Sequence, residues 1–494
     1  MQVEADLRRI HTWLRKVEVC ALPGPRTPLL EGTIQGLLGT FDALGHRVVD
    51  RPGESTDILL ATAPFGEPLD WREAPMLTAR KRFGLERTPW VFTLVPVSPQ
   101  ALQHTLEQLS LALARERPDP AQYAFPGLAQ QAYQVLHEQG RRGGSMLALA
   151  RLVQAQAKSI RVLLVVGERQ VREIYHFDLV GGHPASRGTD LQALFDDAAL
   201  RVVTTVSTRE LTAHMWVADT LPQETWRRLE TPKAMPRAAR ALRRRRFFTR
   251  MVRVKDLVRV PVVGDAIANQ YSEGCFATWD VELGALITTV TGSARPVEKG
   301  SITERDLTLV VGTRPDGQGA LVRPIEGHPR DPPSSEAVEM MMLVQASTPV
   351  RIPGGRQAPA IRSILHGHRG VASYDPDVVE FVPLDAPYYH FPVTCATEAQ
   401  AQGLLAAFSR SEALKDPQDP RCAVFTVLPT HGAAIIEKWV PGKAPFEHLC
   451  QLMDNGQLEI EEPVPQGPLR YIPAGEGRMQ LVEDETPEGE SIGD

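Results

Sequence analysis

The stretch Ile361–Tyr374, IRSILHGHRGVASY, places two histidines, His366 and His368, one residue apart at the end of an apolar run. In a strand, residues i and i+2 point to the same face, so the two imidazoles can converge on one ion. Neutral imidazole suits zinc and similar divalent metals. The simpler reading of the pair is two surface histidines at a strand end, and His-x-His alone does not separate the two. A catalytic zinc needs a third protein ligand and an open position. His431, in VFTVLPTHGAAIIEKW, is the candidate, because it too ends an apolar strand and precedes a glycine. His390, in PYYHFPV, is the competitor.

Three stretches upstream add donors. In DPPSSEAVEMM, Ser334 and Ser335 offer hydroxyls that, with backbone N–H groups at a helix start, can hold a phosphate. Glu336 follows in the first turn, where serine before an acidic residue also opens many ordinary helices. In GALITTVTGSARPVEKGSITERDLTLV, a strand runs into a Thr-Gly turn at Thr291 and Gly292, then a loop, then a second strand. That turn can present a hydroxyl and an N–H to an anion, although turn geometry alone accounts for it. Finally, YSEGCFATWD carries a glycine-led turn at Gly274 and Cys275.

The order of these stretches resembles the class II aldolase/adducin family, which includes fuculose-phosphate aldolase and ribulose-phosphate 4-epimerase. The shared order is a Gly-led turn, T-x-[ST]-G, a strand introduced by T-x-x-D-L, P-S-S-E, H-x-H and a final H-G. It covers roughly residues 265–450. The resemblance implies that His366, His368 and His431 hold Zn2+ or another divalent metal. It implies that Glu336 is the catalytic acid/base, and that Gly274, Cys275, Thr291, Gly292, Ser334 and Ser335 lie where relatives bind the substrate phosphate. It also implies a mixed α/β domain around a largely antiparallel sheet, and a homo-oligomer, since relatives commonly form four-fold tetramers.

Such a site would let a hydroxy-carbonyl metabolite, often phosphorylated, react through an enediolate, with Glu336 moving the proton at carbon. Aldolase-type carbon–carbon cleavage is the expected reaction. Epimerisation, decarboxylation or dehydration on the same site, or a non-catalytic adducin-like binding module, are the alternatives. Tyr388, Tyr389 and His390 lie beyond the His-x-His pair, and Tyr389 is the candidate proton donor to the departing group. Two departures stand out. Cys275 replaces an asparagine that in relatives helps hold phosphate and the reacting oxygen, and LVQASTPVRIPGGRQAP is extra sequence before the pair.

The first half of the chain has another texture. From Lys16 onward KVEVCAL, RVVD, DILLATAP, WVFTLVPV and IRVLLVVGE read as strands, with helices such as TPLLEGTIQGLLGTFDALG between them, and RVVTTVS reads as a further strand. This alternation predicts a Rossmann-like α/β domain over residues 1–235, yet neither a dinucleotide fingerprint nor a P-loop occurs. The further alternative is that this half carries the main activity, such as nucleotide binding or a second enzymatic step. Residues 236–260, with Arg243 to Arg246 in one block, read as a basic linker helix. Residues 261–465 form the aldolase-like domain, and 466–494 an acidic, partly disordered tail.

The whole chain, 494 residues with 43% hydrophobic and 23% charged, is long enough for such cores. A net charge of -6 argues against a general nucleic-acid partner. No apolar run approaches the roughly 20 residues of a membrane helix, which predicts no membrane partner. Five cysteines without a Cys-x-x-Cys pair fit a reducing cytoplasm better than a disulfide framework. The partner that the resemblance implies is a small-molecule substrate.

Overall fold

The protein is seen here in a computed structural model. It describes residues 15–24, 26–65, 89–114, 161–177, 186–187, 190–208, 211–245, 247–248, 274–291, 299–352, 354–385, 396–428, 431–461 and 470–482. The fold is mixed α/β, and the main boundary between two compact units falls between Arg209 and Glu210.

The first unit contains β1 (Glu18–Ala21), α1 (Pro28–Ala43), β2 (Arg47–Val49), β3 (Ile58–Thr62), β4 (Trp90–Val97) and α2 (Pro99–Ala114). It continues with β5 (Arg161–Gly167), β6 (Val171–Phe177), β7 (Ser186–Arg187) and α3 (Leu191–Ser207). The sheet order is β2-β1-β3-β4-β5-β6-β7, parallel through β5 and antiparallel beyond it. Uninterrupted apolar strands such as ILLAT and RVLLVVG are what a parallel sheet covered on both faces requires. Thr27 caps α1 by accepting from the Leu30 N–H, and Pro28 occupies the first turn. Ile34, Leu37 and Phe41 of α1 share one core with Leu194, Val202 and Val206 of α3 and with Ile58, Phe92 and Leu163 of the strands.

One expected strand is a helix. RVVTTVS forms the last two turns of α3, which Asp190 caps through the Gln192 N–H. Its β-branched residues favour a strand locally. The four-residue spacing of Leu194, Ala198, Val202 and Val206 puts them on one buried stripe, and that burial outweighs propensity.

The second unit begins with β8 (Ala213–Trp216), α4 (Gln223–Arg228), α5 (Glu230–Arg244), β9 (Cys275–Asp280), β10 (Ala285–Thr289), β11 (Leu307–Thr313) and β12 (Gly319–Arg323). Then come α6 (Ala337–Ala346), β13 (Pro349–Arg351), β14 (Gln357–Pro359), β15 (Ile361–Gly367), β16 (Gly370–Tyr374), β17 (Val379–Phe381), α7 (Glu398–Ser409) and α8 (Glu412–Lys415). The unit closes with β18 (Ala423–Leu428), β19 (Gly432–Lys438), α9 (Glu447–Asp454), β20 (Leu458–Glu461), β21 (Arg470–Pro473) and β22 (Met479–Val482). A nine-stranded sheet runs β17-β18-β19-β15-β9-β10-β11-β12-β8. It is antiparallel except at its two outermost pairs, β17 with β18 and β12 with β8. A smaller sheet has the order β20-β16-β22-β21.

These strands move the expected boundaries. Residues 213–216, assigned by sequence to the first domain, pair with β12 in the second unit's sheet. The expected linker helix is mostly α5, which starts at Glu230 and buries Ala234, Met235, Ala238, Ala239 and Leu242. Arg243, which is exposed, donates to Ser301 Oγ (2.6 Å), and the half-buried Arg245 pairs with Asp454. The expected tail contributes β21 and β22 before residue 483; residues 483–494 lie outside those described.

Candidate metal centre

The site lies at one end of the central strands of the nine-stranded sheet. His366 is near the end of β15, and His368 follows that strand by one residue. Antiparallel pairing sets His366 opposite Ala434 of β19 on one side and Cys275 of β9 on the other. His431 immediately precedes β19, so its imidazole arrives at the same end of the same strand pair. Gly432 makes this approach possible. Its φ is +142°, and a Cβ there would stand 1.9 Å from the Gly367 carbonyl oxygen.

The three imidazoles are buried and offer ligand nitrogens that all lie within 4.8 Å of one another. Ring centroids are 5.5 Å apart for His366 and His368, 4.7 Å for His366 and His431, and 5.1 Å for His368 and His431. His366 Nδ1 is 3.1 Å from the Ala433 carbonyl, and donation there leaves Nε2 to face the cluster. A ligating histidine is held in this way by its other nitrogen. Three converging imidazoles with one tautomer fixed by backbone form a donor set that could hold a metal ion.

Glu336 faces these rings. It precedes α6 and makes no cap bond with its side chain, which separates it from an ordinary helix-start acid. Its Oε1 is 3.0 Å from His366 Nε2 and 3.9 Å from His431 Nε2. Its Oε2 accepts from the Cys275 thiol at 2.7 Å. Burial alone would raise its pKa, but His366, then His431 and the Cys275 thiol, hold it well below the carboxylate range. Burial likewise opposes charge on His366, and the Glu336 carboxylate overcomes that and raises it. The Cys275 thiol is pushed well above its ordinary range, first by burial and then by the Glu336 charge.

The other sequence candidates divide. Ser334 is buried and its side chain hydrogen-bonds the Cys275 thiol, while its N–H donates to the Thr289 carbonyl (2.9 Å). Thr291 uses its N–H on the Pro332 carbonyl (2.9 Å). The Thr291 and Ser334 amides are therefore taken by the protein. Ser335 is half-buried beside Ser334. Gly274 packs against β15, where a Cβ would meet the His366 carbonyl oxygen at 2.6 Å. Gly292, Tyr388, Tyr389 and His390 lie outside the described residues.

Two further groups come to light in the structure. Glu339, one turn after Glu336 on α6, is buried, and its Oε2 accepts from Gln400 Nε2 at 2.9 Å. Burial, then the Glu336 charge, raises its pKa well above the carboxylate range. A carboxylate inside the apolar run AVEMMMLV was the available signal. Lys299 is also buried, and its ammonium donates to Val290 O (2.7 Å) and Thr289 Oγ1 (3.0 Å). In a polar loop, EKGSIT, nothing distinguishes it from a solvated lysine.

Compared with protein-family models, with curated proteins and with solved structures, the chain matches none. Among the described residues, no helix is long and apolar enough to cross a membrane.

Proposed function

We propose that the second unit is a metal-dependent lyase of the class II aldolase/adducin type. It acts on a hydroxy-carbonyl metabolite, with aldolase-type carbon–carbon cleavage as the reaction. The observation that carries this reading is the convergence of His366, His368 and His431 with the Glu336 carboxylate 3.0 Å from His366 Nε2. The three imidazoles would hold a divalent ion, zinc in this reading. That ion would supply Lewis acidity, stabilising negative charge on the oxygens of the hydroxy-carbonyl.

The chain's own residues supply the proton chemistry. Burial raises the Glu336 pKa, and the charge of His366, then of His431, lowers it; with the imidazoles neutral around an ion, the ion's charge would take their place and the carboxylate would serve as the base. Cys275 grips Oε2, so Oε1 is the oxygen directed into the cluster and the one placed to take a proton from carbon. Burial of the histidines and of Glu336 excludes bulk water, which strengthens each electrostatic contact. Ser334, through its bond to the thiol, ties the segment before α6 to β9 and fixes Glu336 at its root. A cytoplasmic location and assembly into a homo-oligomer belong to the same reading.

Metal analysis of the purified protein beside the His366→Ala variant tests it. About one equivalent of divalent metal in the wild type and none held tightly by the variant is the expected result. Equal content in both would remove the site and the lyase with it.

A further inference from the structure

Helix α5 has two opposite faces. Ala234, Met235, Ala238, Ala239 and Leu242 are buried on one. On the other, Lys233, Arg237, Arg240 and Arg244 follow at intervals of four, three and four residues. The α-helical repeat sets them in one stripe about 17 Å long. Lys233 is half-buried and its ammonium pairs with Glu230 (3.0 Å). The three arginines are exposed, and none has an ion pair or hydrogen bond among the described residues. Like charges three and four positions apart on a helix repel. The stripe is therefore a patch of uncompensated positive charge on a chain whose net charge is -6.

The same chain carries the complement. Residues 483–494, EDETPEGESIGD, place Glu483, Asp484, Glu485, Glu488 and Glu490 within eight positions and contain no lysine, arginine or histidine. They follow β22, in the same compact unit as α5. Arg478, just before β22, reaches Gly456, where a Cβ would lie 3.4 Å from its Nη1. Gly456 is two residues beyond Asp454, the partner of Arg245 at the end of α5. The strand that leads into the acidic segment thus starts beside the turn that also holds α5. Twelve residues extend up to about 40 Å, more than the length of the stripe. Alternate residues of an extended chain repeat about every 6.7 Å, close to the rise of about 6 Å between Arg240 and Arg244. A segment tethered this near competes with any free polyanion at an effective concentration of about a millimolar.

We propose that the stripe of Lys233, Arg237, Arg240 and Arg244 is a docking surface whose occupant is the chain's own acidic segment, residues 483–494. The contact shields the stripe from other polyanions. Single exposed ion pairs contribute little, but here several carboxylates face several cations, and the contact is sensitive to salt. It involves neither metal nor substrate, so it stands apart from the lyase reading.

Carbodiimide coupling of the full-length protein, read by mass spectrometry of the monomer, tests it. Arg240→Lys adds a second amine to the stripe. The expected result at low salt is amide links from Lys233, and from the amine that Arg240→Lys introduces, to carboxylates among residues 483–490. These links should be lost at about 0.5 M sodium chloride. The Lys233–Glu230 link reports that the chemistry works. If that link forms and the others do not, or if they join only two copies, the proposal is overturned. Heparin, a sulfated polyanion, supplies the second arm. A full-length variant with Glu483→Gln, Asp484→Asn, Glu485→Gln, Glu488→Gln and Glu490→Gln should bind heparin at least about tenfold more tightly than the wild type. Adding Arg237→Gln, Arg240→Gln and Arg244→Gln should remove that gain. Equal heparin binding by wild type and the neutralised variant would mean that the stripe is open to outside partners, and overturns the proposal. A gain that survives the arginine substitutions comes from net charge alone, and does the same.

Discussion

Glu336 and Glu339 sit three residues apart on either side of the start of α6 and have opposite electrostatic fates. Glu336 meets His366 and is held ionised; Glu339 meets Gln400 and is held neutral. Glu336→Gln should leave fold and metal content intact and cut turnover by about 10²–10⁴-fold. Normal turnover in that variant would remove the catalytic role. For Glu339 the folded pKa lies above the unfolded one, so the folded state binds the extra proton. Its contribution is full below the unfolded value and is lost as pH rises from there toward the folded value. Glu339→Gln should therefore be neutral or stabilising at pH 8 and flatten the decline in melting temperature between pH 5 and 8. A steeper decline would show that the carboxyl is not neutral. At this scale the sequence marked the histidines and Glu336 because each ends or opens an apolar element. Lys299 stayed hidden because its burial comes from tertiary packing around a loop whose composition is that of solvated chain.

At the scale of elements, the cluster depends on how closely β15 and β19 approach beyond their last paired residues. Gly432→Ala would set a Cβ against the Gly367 carbonyl and strain a positive φ. It should cost about 3 kcal/mol or more in urea unfolding and weaken zinc binding by parting His431 from the pair. Wild-type stability with intact zinc affinity would contradict the close approach. Strands were legible wherever alternation or apolar runs were bounded by turns, as in β4, β5, β15 and β18. The end of α3 was not, because seven residues rich in valine and threonine describe a strand as well as they describe the buried stripe of a helix. Short β8 and β21 were missed because strands of four residues at a sheet's margin carry too little pattern to stand out.

At the scale of the whole molecule, the chain has two compact units with separate sheets, and only the second contains the histidine cluster. Calorimetry should resolve two transitions, of which zinc raises one and leaves the other in place. A single transition shifting as a whole would mean that the units unfold together. The boundary was displaced in the sequence because basic, alanine-rich α5 looks like a connector, and its buried stripe shows only once its partners are in place. The pairing of β15 with β19 has a kinetic consequence. Its ligands come from strands far apart in the chain and meet only after those strands have docked, so an ion can find its cage only late in folding. Metal would then act as a latch rather than a mould: it should slow unfolding in proportion to the stability it adds and leave the refolding rate almost untouched.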